Sequence, residues 1–261
     1  MGWLMNRKSK EGSRMEDKYV ISVKDICKSY RQIHALNGAT LDVESGRITA
    51  IVGDNGSGKS TLIKILSGTV CPDSGVISVG GEEYRSLTIR TAMELGICTV
   101  YQDLSLDNCK NSVENIFLGD EILRGPFLNR KAMREETARL LEELHVSITD
   151  LSQPVRDLSG GQRQALAIAR ALRRPCRLLL LDEPTAAMGI QETHQTMELL
   201  RSLRSRGMTQ LIVSHNLQQV FSLADCVYVM RSGKVLLRAE TGDTSPEELQ
   251  SLILRREEEQ E

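Results

Sequence analysis

A glycine-rich stretch, GDNGSGKST at residues 53–61, has residue types that bind a phosphate chain. It begins with the spacing G-x-x-x-x-G-K-S, follows an apolar segment and opens a helical one. Gly56 and Gly58 have no Cβ, so a phosphate can approach the backbone N–H groups of the loop. The N-terminus of the following helix adds a partial positive charge. Lys59 is then expected to reach the β- and γ-phosphates and Ser60 to hold Mg²⁺. The predicted nucleotide-binding residues here are Gly53, Asp54, Asn55, Gly56, Ser57, Gly58, Lys59, Ser60 and Thr61.

Two adjacent carboxylates end the apolar segment RLLLLDEP at residues 177–184. Neighbouring strand residues project to opposite faces, so Asp182 and Glu183 need not compete for one partner. We predict that Asp182 orients a magnesium-bound water and that Glu183 polarises the attacking water, which suits hydrolysis better than transfer to an acceptor. An Asp-Glu pair at a strand end is usually a solvated loop. Its place after the leucine run and downstream of the phosphate loop favours the catalytic interpretation.

Two further polar residues close predicted strands. Gln102 follows ICTVY and His215 follows TQLIVS, at the sheet edge where ligands of open α/β folds bind. The amide of Gln102 is a candidate ligand for Mg²⁺ or the nucleophilic water, and the imidazole of His215 a candidate donor to the γ-phosphate. The predicted catalytic residues are Glu183, His215 and Gln102, and the predicted metal ligands are Ser60, Gln102 and Asp182. Taken singly, a glutamine at a strand end indicates little, and a lone histidine is more often an ordinary surface or core residue.

A second glycine pair occurs in LSGGQRQ at residues 158–164, just before the apolar helical pattern ALAIARAL. Ser159, Gly160 and Gly161 at a helix entrance combine a hydroxyl, bare backbone N–H groups and the helix dipole into an anion site. The chain's own nucleotide already has a cradle at residues 53–60. We therefore interpret the second site as one that closes over the γ-phosphate bound by a partner chain.

The elements that position these residues follow a recognisable order. The segments YVISVKDI, ATLDV and RITAIVG predict antiparallel pairing, with a turn at ESG, that leads into a buried strand. The pattern turns helical from about residue 103 to 157, where strands disappear. Strands then alternate with helices, which predicts a mainly parallel sheet covered on both faces. The last helix opens with a capping box formed by Ser245 and Glu248.

The composition excludes several classes of protein. Lys plus Arg is 33 and Asp plus Glu is 35, a net charge of −2 that does not suggest a nucleic-acid partner. The six cysteines lie far apart without a C-x-x-C pair, which predicts reduced, mostly buried thiols. No apolar run approaches the roughly eighteen residues of a membrane helix. Residues 1–18 lack the apolar core of a signal peptide, and Asn6 replaces the Ser or Thr of an acylation signal, so we predict a mobile arm.

The order of these motifs resembles that of the ATP-binding cassette family, the ATPase subunits of ABC transporters. GDNGSGKST resembles Walker A, YQD the Q-loop, LSGGQ the signature, LLLLDEP Walker B, and SHN the switch histidine. The resemblance covers about residues 20–240 and implies an α/β fold: a RecA-like P-loop core, an antiparallel β subdomain and an inserted helical subdomain at about 103–172. The implied ATPase domain spans 19–245, and a C-terminal helix and charged tail occupy 246–261.

The resemblance also implies ligands and a partner copy. Tyr30 is similar in position to the aromatic residue that stacks on adenine, and ATP with Mg²⁺ is the implied ligand. Ser159, Gly160, Gly161 and Gln162 would face the ATP of the opposite subunit in a head-to-tail dimer. One position departs from the pattern: many cassettes have an Asp in the loop after Walker B, where this chain has Gly189. This departure concerns cross-talk between the two sites and leaves the predicted hydrolytic residues in place.

Two short stretches, VYQDLSL at 100–106 and ENIFLG at 114–119, resemble the cassettes of ribose, xylose and fructose uptake. That group implies a separate membrane permease contacted through Gln102 and the segment from Asp103 to Gly119. It also implies an indirect sugar-binding protein partner and a peripheral position on the cytoplasmic face of the membrane. Two alternatives stay open at this point: a soluble cassette ATPase, for instance in iron–sulfur cluster assembly, and a small-molecule kinase with the same phosphate loop.

Overall fold

The computed structural model describes residues 18–255. The predicted arm, apart from Lys18, and the charged tail beyond Arg255 lie outside the described residues. The chain divides into two compact units. The first contains the described residues up to Thr99, the segment Cys176–Glu183 and the described residues from Arg204 onward. The second contains Val100–Pro175 and Pro184–Leu203, and the predicted boundaries at 19–245 and 103–172 stay predictions.

The described strands are β1 (Tyr19–Tyr30), β2 (Ile33–Glu44), β3 (Ile48–Val52), β4 (Ser74–Val79), β5 (Glu82–Tyr84), β6 (Ile97–Val100), β7 (Leu123–Arg124), β8 (Phe127–Leu128), β9 (Leu178–Asp182), β10 (Thr209–Val213), β11 (Cys226–Arg231) and β12 (Lys234–Glu240). The described α-helices are α1 (Lys59–Leu66), α2 (Ile89–Glu94), α3 (Ser112–Ile116), α4 (Arg130–Glu143), α5 (Gly160–Leu172), α6 (Ile190–Ser205), α7 (Leu217–Leu223) and α8 (Pro246–Arg255).

An antiparallel sheet in the order β2-β1-β4-β5 forms one part of the first unit. Strand β1 lies in its middle and pairs on both sides, with Val23 opposite Leu41 of β2 and opposite Ile77 of β4. All three side chains are buried, as expected for the inner face of a sheet. The predicted hairpin between ATLDV and RITAIVG is wrong, because the turn joins β2 of this sheet to β3 of the other sheet.

The second sheet has the order β12-β11-β3-β10-β9-β6. Strands β3, β9 and β10 are buried along their whole length, which explains their unbroken apolar sequences. Strand β10 runs parallel to β3 and β9, and β11 runs parallel to β3. The predicted mainly parallel core of an α/β fold is thus confirmed. Strand β12, which pairs antiparallel with β11 at the sheet edge, was not predicted, because four of its seven residues are exposed and none is buried.

The second unit is mainly helical. Asn111 and Glu114 cap α3 reciprocally, and Asn129 caps α4 through the backbone N–H of Ala132. The expectation that strands disappear here is wrong, since β7 and β8 form a small hairpin with Leu123 opposite Leu128. Two residues per strand are too few for a period of two to be visible in sequence.

The predicted cap of the last helix is confirmed: the backbone N–H of Glu248 donates to Ser245 Oγ at 3.2 Å, and the N–H of Ser245 donates to Glu248 Oε2 at 3.1 Å. The prediction of mostly buried cysteines is wrong. Cys226 is buried, whereas Cys71 and Cys109 are exposed because both lie in loops between elements. Within the described range, no helix is both long and apolar enough to span a bilayer.

Candidate functional site

The loop between β3 and α1 lies at the carboxyl edge of the parallel strands. Because Val213 of β10 pairs with Ile51 of β3 and with Asp182 of β9, the ends of all three strands meet there. Helix α1 begins after Gly58, which adopts φ +102°, and no side chain caps its N-terminus. Its first turn also contains no acidic residue. The first N–H groups of α1 are therefore available to an anion such as a phosphate.

Backbone packing fixes the shape of this loop. A Cβ on Gly53 would stand 2.0 Å from the carbonyl oxygen of Met230, and a Cβ on Gly58 would stand 2.4 Å from that of Ala35. A Cβ on Gly56 would meet nothing within 4 Å, although its φ of +83° still favours glycine. Open space at Gly56 agrees with the predicted phosphate-facing role. Gly58, in contrast, is required by its contact with β2.

The turn between β11 and β12 forms hydrogen bonds with the phosphate loop, a contact that the sequence did not predict. The backbone N–H of Gly233 donates to the carbonyl of Ser57 at 3.0 Å, and the N–H of Asn37 donates to the carbonyl of Gly233 at 2.9 Å. A Cβ on Gly233 would come within 2.8 Å of Leu36 Cα. The Ser-Gly pair between two apolar runs was a visible turn signal, but nothing local connected it to the phosphate loop.

Lys59 lies buried beneath the loop, with 6% of its surface exposed. Its ammonium donates to the carbonyl oxygens of Gly53 and Asp54, both at 2.7 Å, and to Ser57 Oγ at 3.3 Å. Burial lowers the pKa of Lys59, and the charges of Glu183, Asp54 and Asp182 oppose that shift.

Ser60 and Asp182 come together as a pair of oxygen donors. Ser60 Oγ donates to Asp182 Oδ1 at 3.2 Å, across 122 positions of sequence. Burial raises the pKa of Asp182, while the Ser60 hydroxyl and nearby lysines act in the opposite direction. A hydroxyl and a carboxylate are hard oxygen ligands and fit Mg²⁺. The third predicted ligand, Gln102, is exposed in the second unit just past β6, and its role stays a prediction.

Glu183 and His215 contact each other directly. Nδ1 of His215 lies 2.9 Å from Oε2 of Glu183, and the backbone N–H of Glu183 donates to the carbonyl of Val213. Glu183 adopts φ +51°, a left-handed conformation that a glutamate takes only under constraint. With the carboxylate ionised, Nδ1 must be the donor. The Nε2 atom of His215 then donates to a phosphate only when the ring is protonated.

A cavity of about 560 Å³ opens beside this arrangement in the first unit. The start of the phosphate loop and the segment from His215 to Gln218 line it together with the N-terminal part of α8. The lining residues from these three segments are Val52, Gly53, Asp54, Asn55, His215, Asn216, Leu217, Gln218, Pro246, Glu247 and Gln250. The cavity is therefore bordered by residues predicted to contact phosphate, namely the start of the loop and His215.

Tyr30 lies at the tip of the β1–β2 hairpin, opposite Ile33, with 43% of its surface exposed. The ammonium of Lys28 stands 5.7 Å from the centre of its ring. The same hairpin contacts the phosphate loop, through the carbonyl of Ala35 at Gly58. Stacking of this ring on adenine stays a prediction.

The second glycine pair lies in the second unit, at the start of α5. Ser159 and Gln162 form a capping box, with the N–H of Gln162 donating to Ser159 Oγ at 3.2 Å and the N–H of Ser159 donating to Gln162 Oε1 at 3.0 Å. Gln162 Nε2 also donates to the carbonyl of Ser147. The spacing S-x-x-Q is itself a capping-box signal, so this use of Gln162 was readable from the sequence.

Glu192, which sequence analysis missed, lies against the same helix start. The backbone N–H of Gly160 donates to its Oε1 at 2.7 Å, and the N–H of Gly189 donates to its Oε2 at 3.2 Å. These bonds lower the pKa of Glu192, with Gly189 contributing most and Gly160 next. A carboxylate therefore already accepts the N–H of Gly160, which was predicted to contact a phosphate.

Comparison with known families identifies one match over more than half of the chain. Residues 36–186 match the family model described as ABC transporter. The xylose/arabinose import ATP-binding protein XylG of Sulfolobus acidocaldarius is 40% identical over 234 residues, covering 90% of this chain and 93% of that protein. The fructose import ATP-binding protein FrcA of Rhizobium meliloti is 38% identical and covers 85% of this chain and 88% of that protein.

The fold is also similar to solved structures. The ATP-binding cassette MJ0796, solved as a dimer in a post-hydrolysis state with ADP and Pi, superposes with a TM-score of 0.72 at 25% identity. The match covers 85% of this chain and 98% of that one.

Proposed function

Because the chain belongs to the ABC transporter family of ATP-binding cassettes, we propose that it couples ATP hydrolysis to the import of a simple sugar. One arrangement supports this function more than any other. Lys59, the Ser60–Asp182 pair and the Glu183–His215 pair lie in one compact unit at one edge of one parallel sheet. An ATPase needs these groups together for charge neutralisation, metal binding and activation of water.

Each side chain has a part in the proposed reaction. Ser60 and Asp182 would hold Mg²⁺, which offsets charge on the β- and γ-phosphates when it is bound. Glu183 accepts a proton from the attacking water, whose oxygen bonds to the γ-phosphorus as the bond to the bridging oxygen of ADP breaks. His215 holds the Glu183 carboxylate by the 2.9 Å contact. Gln102 is proposed to contact the metal or this water.

The signature completes the site from a second copy of the chain. Ser159, Gly160 and Gly161 present a hydroxyl and N–H groups at the start of α5, which suits the γ-phosphate of an ATP held by the partner's loop. ATP would bind the closed head-to-tail dimer better than separate subunits, and loss of the γ-phosphate would reopen it. Tyr30 would stack on the adenine.

The transported substrate is proposed from the relatives, whose names specify xylose, arabinose and fructose import. We propose a membrane permease as the partner, contacted by the segment from Asp103 to Gly119, and a sugar-binding protein as an indirect one. The chain would then be located at the cytoplasmic face of the membrane. Iron–sulfur assembly, the alternative function, is supported by neither relative.

A single substitution tests the ATPase dimer. Glu183→Gln keeps the shape of the side chain but removes the proton acceptor, so we expect ATP binding to persist, turnover to fall by at least about 100-fold, and an ATP-dependent dimer to accumulate. Isothermal titration, phosphate release and sedimentation velocity measure the three quantities. Normal turnover by a monomeric Glu183→Gln protein would contradict the proposal.

A second experiment tests the substrate. The chain is reconstituted with its permease and binding protein in proteoliposomes, and uptake of labelled xylose, arabinose and fructose is compared with that of a labelled amino acid. We expect ATP-dependent uptake of a sugar only. Uptake of the amino acid without any sugar would overturn the substrate class while leaving the ATPase assignment intact.

A further inference from the structure

The carboxylate of Glu192 lies at the start of α5, where the signature glycines form the predicted anion site. It projects from the first turn of α6 and accepts the N–H of Gly160 at the start of α5 with a distance of 2.7 Å. Its second oxygen accepts the N–H of Gly189 at 3.2 Å. All of these groups belong to the second compact unit, so the contact is internal to that unit.

The two signature glycines make room for this side chain. A Cβ on Gly160 would stand 3.0 Å from Glu192 Oε2, and a Cβ on Gly161 would stand 3.4 Å from Glu192 Cβ. The glutamate therefore covers the surface that any other residue type would fill. The proposed function assigns this same surface to the γ-phosphate of the partner's ATP.

A carboxylate and a terminal phosphate cannot both bind at this surface. Both are acceptors, and the single hydrogen of the Gly160 N–H cannot bond both in good geometry. Both are also negatively charged, and like charges in close contact at an interface oppose association. Arrival of the phosphate thus requires the carboxylate to leave.

We propose that Glu192 is an internal counter-ligand of the signature, one that occupies the phosphate position in separate subunits and is displaced when two ATP-loaded subunits close. This inference rests on the proposed function. The γ-phosphate brings more negative charge and more acceptor oxygens than the carboxylate, so ATP can displace it. ADP has no γ-phosphate, so after hydrolysis the carboxylate returns to Gly160 and favours separation.

The proposal predicts that removing the negative charge tightens the ATP-bound dimer. Glu192→Gln keeps the length of the side chain and an acceptor oxygen for the helix start. In the Glu183→Gln background, which holds ATP without turnover, we expect the dimer dissociation constant to fall at least about fivefold, the lower end of ordinary coupling between sites. Sedimentation equilibrium in ATP measures it, and ATP titration at concentrations where the protein is monomeric is expected to show unchanged affinity.

Glu198→Gln is the matched control, because it makes the same charge change on the same helix at an exposed position. We expect this control to leave the dissociation constant unchanged. If Glu192→Gln weakens the dimer or leaves it unaltered, Glu192 is a structural clamp and the inference is overturned. Equal tightening by Glu198→Gln would also overturn it, since general charge repulsion would then explain the effect. Absence of any ATP-dependent dimer in Glu183→Gln alone would instead contradict the proposed function.

Discussion

At the residue scale, the site contains charged groups whose surroundings disfavour their charge. Asp182 is 6% exposed at the end of β9, and burial raises its pKa. A neutral residue of the same shape would be more stable at this position in the folded protein. This unfavourable charge is consistent with the proposed role of Asp182, together with Ser60, as a ligand of Mg²⁺.

Asp182→Asn is expected to stabilise the nucleotide-free protein at neutral pH and to abolish Mg²⁺-dependent turnover. A raised folded-state pKa means that the folded protein takes up this proton at a higher pH than the unfolded chain does. The charge of Asp182 therefore does not destabilise the folded protein at pH values below the pKa of this group in the unfolded chain. Its full destabilising effect is present above the pKa of the group in the folded protein. Thermal unfolding is measured from acid to neutral pH.

Measurements at acid pH serve as the control. Asp182 is protonated there in both the folded and the unfolded chain, so the variant and the native chain should have nearly the same melting temperature. A lower melting temperature for Asp182→Asn at neutral pH would show that the carboxylate is stabilised where it stands.

Sequence predicted the residues whose neighbours in the chain define their role. Lys59 and Ser60 follow directly from the loop spacing, and Asp182 and Glu183 from their place after a buried strand. Glu192 could not be predicted, since 32 positions separate it from Gly160. The contact depends on how α6 approaches α5, which no local pattern encodes.

At the element scale, the phosphate loop is shaped by strands that sequence did not connect to it. The carbonyl of Met230 at the end of β11 and that of Ala35 on β2 both approach loop glycines, and the β11–β12 turn bonds Ser57. The alternation of strands with helices and the parallel core were predictable from periodicity. Strand β12 was not predictable because four of its seven residues are exposed. The β7–β8 hairpin was not predictable because its strands are too short to show a pattern.

Gly53→Ala is expected to destabilise the protein by at least about 3 kcal/mol, since a Cβ there would lie 2.0 Å from the Met230 carbonyl and backbone would have to move. Gly56→Ala is the matched variant in the same loop. The new Cβ at position 56 meets no atom within 4 Å. The loss in free energy of unfolding should therefore come only from the positive φ of this residue and amount to about 1–2 kcal/mol. Urea unfolding of the two proteins measures the difference, and equal losses would contradict the packing argument.

At the scale of the whole molecule, the two proposed half-sites belong to different compact units of the chain. The phosphate loop and Walker B pair lie in the first unit, and the signature lies in the second. Moving a dimer from almost fully open to almost fully closed takes a differential affinity of about 5.5 kcal/mol, which the two bound nucleotides would share.

Two inactive variants should therefore restore activity when mixed. Ser159→Phe blocks the signature and Lys59→Met disables the loop, so each homodimer lacks both complete sites. A mixed dimer pairs the intact loop of one subunit with the intact signature of the other and regains one site, which phosphate release at equal concentrations detects. Mixtures as inactive as their components, with ATP-dependent mixed dimers present, would contradict the shared site.

The bonds of Lys59 to the carbonyl oxygens of its own loop bear on how strongly a nucleotide can bind. A buried ammonium without acceptors would carry a heavy desolvation penalty. Here two carbonyl oxygens of the loop solvate that ammonium. A triphosphate that binds Lys59 must compete with those carbonyls, so the loss of their hydrogen bonds offsets part of its binding free energy.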